Sequence, residues 1–412
     1  MEIPVNRNNP TIMHLDLNSC FATVEQQAHS HLRGKPIVIA AYTTPNGCVL
    51  SPSIEAKRYG IKTGMTVRQA RLLCNAVVVR NPDPHLVRDV HIKLRTICTD
   101  YSPRTTPKSI DEIVLDFTGM EKCLKKDMPT VGKEIKQRLR TDIGEWISCS
   151  IGIATNRFLA KLGAGLHKPD GLDIIDYQNL QSVYARLTLT DLPGINTHFE
   201  ARLNANTIRT VLQFFNTPER ILRQHVFQSI IGYYWYIRLR GFEIDNGELK
   251  RKSYCQDYAL NQFTSDPETL SKIIMKLCEK MGRRLRQAGY MTHGVHVACL
   301  YQDGTYWHRA RKTQQSFSTT HDLYTKALLI FNQQPERKKV VKLSVSCYNL
   351  VLSKIIQQSL FDSIDTKREK VSKALDAIND KYGEYTVIPA LMMGMDDVVL
   401  DRIAFGGRHE FF

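Results

Sequence analysis

Apolar positions in the first half of the chain recur in two rhythms. Residues 12–15, 36–41, 47–51, 113–115 and 147–154 are short apolar or alternating runs with the length and β-branched content of strands. Between them the period is near 3.6: Phe21, Val24 and Ala28, then residues 53–60, then 87–98. Residues 130–140, with Val131, Ile135 and Leu139 on one stripe, and Arg157–Leu166 continue that helical rhythm. Strands alternating with helices on a small sheet predict a split βαβ, ferredoxin-like domain. Residues 20–85 form an insertion after its first strand, with a turn at Thr44-Pro45-Asn46-Gly47. Residues 177–241 read as helical, and 242–252 (FEIDNGELKRK) have the polarity of a linker. A second alternation follows: strands at 254–260, 295–301 and 340–347, with helices at Pro267–Gln287 and 323–331. A helix at 368–382 and a strand at 386–393 close the chain. The class predicted is α+β, in several domains.

Charge adds a partner to this picture. The chain has 412 residues and a formal charge of +15, which points to a polyanion. Residues 251–355 alone hold 17 Lys/Arg against seven Asp/Glu, whereas 356–412 hold seven against ten. Within the basic segment, Lys272, Lys276, Lys280, Arg283, Arg284 and Arg286 lie on one helix. A solvated face explains that helix as well as nucleic acid does. Arg309, Arg311 and Lys312, just after Tyr306-Trp307, favour a duplex backbone, and nothing in the segment reads bases. The ten cysteines show no C-x-x-C spacing, so neither a zinc nor a redox motif is indicated. No run approaches membrane-spanning length and no signal-peptide pattern opens the chain, so the expectation is a soluble, cytoplasmic protein.

The chemistry concentrates at two strand ends. Asp111 and Glu112 stand directly before Ile113-Val114-Leu115. A strand alternates its faces, so both carboxylates reach one site only at the lip of a hairpin, before pairing begins. Held together they repel, and a bound cation is the usual remedy. Asp16 ends the first apolar strand in the same way, and Asn18 or Ser19 then offers a helix N-cap. Two strands that each deliver carboxylate at one end suit a two-metal phosphoryl-transfer site. There two Mg²⁺ ions, roughly 3.5–4 Å apart, clamp the attacking and leaving oxygens.

With these residues in view, DLNSCFATVE (16–25) followed by SIDEIVLD (109–116) resembles the catalytic signature of the Y-family, or translesion, DNA polymerases. The resemblance implies a ferredoxin-like palm (1–19 and 86–176), small fingers (20–85), a helical thumb (177–241) and a separate α+β little-finger domain (253–355). It makes Asp16, Asp111, Glu112 and the Leu17 carbonyl the ligands of two Mg²⁺ ions, and Phe21 a steric gate against the ribose 2′-hydroxyl. On pattern alone Phe21 is core. NGCVLSPSIEAKRYGIKTGM (46–65) resembles the fingers of bacterial members. It implies nucleotide contacts from Ser51 and Lys57, joined by Cys20, Phe21 and Lys168 of the H-K-P-D-G turn. Many relatives carry a phosphate-contacting Tyr where this chain has Ile54, one hydrogen-bond donor fewer. Leu192-Pro193-Gly194-Ile195-Asn196 resembles a phosphate-gripping helical hairpin, with Asn196 at the usual second glycine. Gln357, Leu360 and Phe361 resemble the peptide by which bacterial polymerases dock on the sliding clamp, with a C-terminal module after it.

The implied activity is template-directed DNA synthesis of low fidelity from dNTPs on a primer-template, by a monomeric enzyme with no membrane partner. Two rival readings stand beside it. A nucleotide cyclase also uses two metals on such a palm, but has no use for the basic domain. A non-catalytic, polymerase-like DNA-binding subunit would show decayed carboxylates.

Overall fold

Strand β1 (Ile12–Leu17) alternates: Met13 and Leu15 are fully buried against one layer of helices, and His14 and Asp16 face the other way. The computed structural model that shows this describes residues 3–120, 125–247, 251–353, 363–396 and 398–399. After β1 come helix α1 (Cys20–Ala28) and a three-stranded sheet of β2 (Ile37–Ala40), β3 (Val49–Pro52) and β4 (Val78–Arg80), in the order β3–β2–β4. Two short helices, α2 (Ile54–Arg58) and α3 (Val67–Leu73), lie between β3 and β4. Ser53 caps α2 by accepting a hydrogen bond from the Ala56 amide, as its place before a helical run predicts. The chain then returns through α4 (Pro84–Thr99) to the hairpin β5 (Thr105–Pro107) and β6 (Glu112–Asp116). It continues with α5 (Met128–Arg138), β7 (Cys149–Ala154), α6 (Arg157–Leu166) and β8 (Leu172–Ile175).

The five strands are ordered β5–β6–β1–β7–β8. Without β8 this is the βαββαβ order of a ferredoxin-like sheet, with the three-stranded sheet inserted between its first strand and first helix. Helices α4 and α5 bury Leu94, Ile97 and Ile135 against Met13, Leu15, Ile113 and Ile151. Helix α6 covers the opposite face, where Phe158, Leu159 and Leu162 meet Ile12, Val114 and Ala154. That second face carries His14 and Asp16.

Helices α7 (Leu180–Ala185), α8 (Thr197–Ala205), α9 (Val211–Asn216), α10 (Glu219–Ile221) and α11 (Ile231–Leu239) complete this unit, which lies within Met1–Glu248. They pack around Phe214, Trp235 and Tyr184, whose hydroxyl donates to the Leu239 carbonyl at 2.8 Å. In the expected phosphate-gripping hairpin, Gly194 has φ +96°, but Asn196 is extended and not left-handed. Its side chain is committed to capping α8, accepting from the Phe199 amide at 2.9 Å.

The second unit, within Leu249–Asp401, is a four-stranded antiparallel sheet in the order β11–β10–β12–β9. Its strands are β9 (Ser253–Thr264), β10 (Tyr290–Tyr301), β11 (Tyr306–Phe317) and β12 (Val340–Leu352). Helices α12 (Pro267–Gln287) and α13 (Thr320–Phe331) cover one face. The basic residues after Tyr306-Trp307 form the edge strand β11, a strand the sequence pattern does not announce because polar residues fill both its faces.

Helix α14 (Ser363–Tyr382) and the turns beyond it pack on α12 and change the meaning of its charges. Arg286 forms a two-pronged ion pair with Asp376 at 2.6 and 2.7 Å, and Arg283 pairs with Asp380 at 2.6 Å and Glu384 at 3.2 Å. Lys276, only 4% exposed, donates to the Met395 carbonyl at 2.5 Å. These cations are not a solvated face. Removing one partner of the enclosed Arg286–Asp376 pair costs about 3–5 kcal/mol. The strand expected at 386–393 is absent: turns lead into a 3₁₀ helix, Ala390–Met392. Asn379 takes both polar groups of Val387, accepting from its N–H at 2.9 Å and donating to its carbonyl at 3.0 Å, and Pro389 has no N–H for a ladder. The docking peptide at 357–361 lies outside the described residues.

Candidate active site

The carboxylates meet because β1 and β6 pair in register. Asp16 stands directly across from Glu112, on the face shared with His14, and the Leu17 amide donates to the Asp111 carbonyl at 2.9 Å. Glu112 is therefore already inside the ladder, and only Asp111 occupies the unpaired lip. Ser109 holds Asp111 from behind, its hydroxyl donating to Oδ1 at 2.5 Å. Asn18 and Ser19 do not cap α1 with their side chains: Ser19 is left-handed at φ 51° and makes no capping bond. Asn18 instead braces the site. Its amide nitrogen donates to Ser150 Oγ at 2.9 Å, and its Oδ1 accepts from Ser148 Oγ at 3.1 Å and from the Asp170 amide at 2.8 Å. It thereby ties the end of β1 to β7 and to the turn carrying Lys168.

Two lysines close on the acids. Lys168 Nζ lies 2.6 Å from Asp16 Oδ2, and Lys161 Nζ lies 2.9 and 2.8 Å from the two oxygens of Glu112. Lys161 reaches Glu112 because α6 lies unusually close to β7. A Cβ on Gly152 would sit 1.9 Å from the Ala160 carbonyl oxygen. Behind Glu112, His14 is 2% exposed, with Nε2 3.7 Å from Glu112 Oε2. Neither His14 nor Lys161 stands out in the sequence as a site residue, and Asn18 stands out only as a cap. The legible signal for His14 and Lys161 is their phase: His14 is two residues before Asp16, on the same strand face, and Lys161 is on the polar side of a strongly amphipathic helix.

The electrostatics follow from burial and from neighbours. Burial pushes the Asp16 carboxyl up to about 6, against the pull of Lys168 and with the added repulsion of Glu112 and Asp111. Asp111 is likewise raised, by burial first. Burial opposes ionisation of Glu112 too, but there its basic neighbours win, His14 first and then Lys161 and Lys168, and Glu112 falls below its ordinary value. His14 is depressed to about 4 by burial and is neutral at pH 7. Three oxygen-bearing acids, two of them held above their normal range by one another and by desolvation, are a donor set suited to hard divalent cations.

The remaining expected residues divide into those within reach of this field and those in the packed interior. Lys57 on α2 has its pKa lowered by burial and by Lys168, with Asp16 pulling the other way, so it shares the field of the site. Cys20 is buried, and its thiol is pushed up by burial and by Asp111 and Asp16. Ser51 is buried on β3, paired with Ile39. Phe21 is 3% exposed, within the core layer under the sheet. Among the described residues, the cluster with donor atoms close enough for a shared metal is His14, Asp16 and Glu112.

The chain is similar to known proteins over most of its length. The impB/mucB/samB family model matches residues 15–165, and the model of that family's C-terminal domain matches residues 251–360. DNA polymerase IV of Moorella thermoacetica is 31% identical over 390 residues, covering 93% of this chain and 96% of that protein. DNA polymerase IV of Pelotomaculum thermopropionicum is 29% identical over 397 residues, covering 95% and 97%. Among solved structures, a chimera of the Y-family DNA polymerases Dbh and Dpo4 aligns with a TM-score of 0.73 at 20% identity, over 83% of this chain and 99% of that one. A ternary complex of Dbh DNA polymerase aligns with a TM-score of 0.55, also at 20% identity and over the same shares. Two domain models, relatives matched along nearly their whole length and a shared fold leave one assignment: the chain belongs to the impB/mucB/samB family, the Y-family of DNA polymerases.

Proposed function

We propose that this protein is a template-directed DNA polymerase that performs low-fidelity translesion synthesis from dNTPs. The observation that carries the reading is the pairing of Asp16 with Glu112 at one end of β1 and β6, with Lys168 and Lys161 against them and the charge of Asp111 acting on both acids. In the reaction the primer 3′-oxygen bonds to the α-phosphorus of the nucleotide as the bond to the pyrophosphate oxygen breaks. Two Mg²⁺ ions, when bound by Asp16, Asp111, Glu112 and the Leu17 carbonyl, supply activation of the hydroxyl and neutralisation of the leaving charge. The side chains do the rest. Lys168, on a turn anchored by Asn18 and Ser150, and Lys57 offer point charges to the triphosphate. Ser51 adds a hydroxyl, and Cys20 and Phe21 bound the sugar. The rival reading of a non-catalytic subunit is not favoured, because no carboxylate of the set is missing.

For the second unit the proposal is sequence-independent binding of the primer-template backbone, supported by the exposed Arg309 and Lys312 of β11. Gln357, Leu360 and Phe361 are proposed to tether a monomeric enzyme to a sliding clamp, raising its concentration at the primer end. The central test is Asp111→Asn. Extension should fall by about three orders of magnitude, while primer-template affinity stays within about twofold, because charge stabilisation of several kcal/mol disappears without any change at the DNA surface. Extension within about tenfold of the parent enzyme overturns the two-metal assignment.

A further inference from the structure

Two consecutive residues near the end of α1 hold the inserted three-stranded sheet where the chain enters it and where the chain leaves it. Glu25 and Gln26 are each 1% exposed. Glu25 takes the returning chain: its carboxylate accepts from the Asp83 amide at 3.2 Å and lies 3.4 Å from Arg80 Nε. Gln26 takes the outgoing chain. Its Nε2 donates to the carbonyls of Leu32 and Lys35, each at 3.3 Å, and to Glu55 Oε2 of α2 at 3.1 Å. Its Oε1 accepts from the indole Nε1 of Trp146 at 3.1 Å, just before β7. One amide therefore joins the inserted sheet to the five-stranded one.

The chemistry of these neighbours suits glutamine. Two carbonyls and a carboxylate only accept and an indole N–H only donates, so the amide has one orientation. A glutamate would set its charge against three acceptors, and a leucine would leave buried polar groups without partners. The element held in this way is α2, whose five residues are too few to keep a helix in place unaided. It is fixed at its first turn. Ser53, its cap, also donates to the Lys35 carbonyl at 3.4 Å, the same oxygen that Gln26 reaches. Residues two apart on a helix point about 200° apart, so Glu55 held against α1 turns Lys57 to the other side of α2. There Lys57 lies in the field of Lys168 and Asp16.

We propose that Gln26 is a positioning residue for the incoming nucleotide: bonded to both Glu55 and Trp146, it sets the roll of α2 and so holds Lys57 against the triphosphate. The inference rests on the reading of Lys57 as a triphosphate contact.

Steady-state incorporation of a single dNTP by the full chain tests it, with thermal melting beside it. Lys57→Ala should raise the dNTP KM roughly ten- to a hundredfold, the worth of one charged hydrogen bond. Gln26→Leu should raise it roughly three- to thirtyfold with kcat within about twofold, because α2 persists but no longer aims its lysine. In the Lys57→Ala background the same substitution should change KM by less than about twofold, since the group it positions is gone. A purely structural role would multiply KM equally in both backgrounds. Where Gln26→Leu melts too early to assay, Glu55→Ala leaves α1 whole and should give the same two results. A parent-like KM in the folded variant, or equal multiplication in the two backgrounds, overturns the proposal. A Lys57→Ala enzyme with the parent KM instead removes the triphosphate role of Lys57, and the proposal with it. Polymerase activity itself stands or falls separately, with Asp111→Asn.

Discussion

Phe21 shows how one side chain can serve packing and chemistry together. It follows Asp16 by five residues, yet its ring is buried in the core layer beneath the sheet. Truncation to alanine therefore confounds two effects, because emptying a buried aromatic site costs about 3–5 kcal/mol whatever its catalytic role. Phe21→Leu separates them. Leucine keeps most of the apolar volume, so melting should shift by only a few degrees, about 1 kcal/mol in a domain of this size. A ring that excludes the 2′-hydroxyl by shape should then admit ribonucleotides, read as a lower dNTP-over-rNTP ratio in single-nucleotide incorporation. An unchanged ratio in a folded variant returns Phe21 to the core alone. His14 teaches the converse. It reads as one polar position in an apolar strand, and only pairing with β6 sets its imidazole behind Glu112.

At the scale of elements, the decisive contact is between α6 and β7. Gly152 is a strand residue with no side chain to pack, ordinarily a weakness, and here it lets the backbone of α6 lie against the strand. That approach delivers Lys161 to Glu112. Gly152→Ala should therefore act twice: it should destabilise the fold by about 1–3 kcal/mol or more through overpacking against backbone, and it should reduce extension by displacing Lys161. Lys161→Ala gives the contrast. Its side chain is nearly half exposed, so the ion pair itself adds no more than about 1 kcal/mol and melting should barely move. Thermal melts of the two variants side by side check this. A Gly152→Ala protein that melts with the parent would show that α6 can yield without cost.

For the whole molecule, net charge is a poor guide to where DNA binds. The basic segment owes much of its excess to α12, whose Lys276, Arg283 and Arg286 are engaged by the C-terminal residues of the same unit. Acidic residues of the tail neutralise basic residues of the helix, so the opposite charge balances of 251–355 and 356–412 are partly two halves of one interface. The salt dependence of primer-template binding should therefore flatten by about one unit for Arg309→Ala or Lys312→Ala, because each substitution takes one cation away from a phosphate. It should keep its slope in Arg283→Ala. A slope that responds to Arg283 instead would place α12, and not β11, on the nucleic acid.

Much of this protein was determined locally. The alternation of residues 12–17 and 112–116, the 3.6-residue stripes of α5 and α6 and the helix Pro267–Gln287 are dictated by side-chain periodicity, so the α+β class and the strand-end position of the acids were legible from the sequence. Tertiary structure decided everything that depends on register and on distant partners. It set Asp16 across from Glu112, brought Lys161 and Lys168 to them, and used Asn18 as a brace where a helix cap was expected. It left Asn196 extended as a helix cap where the hairpin pattern has its second glycine, replaced the strand at 386–393 with turns held by Asn379, and made an edge strand of β11. The physical reason is the same in each case. Polar side chains satisfy whichever group the fold brings within hydrogen-bonding distance, and that choice is made by chain segments dozens to hundreds of residues away.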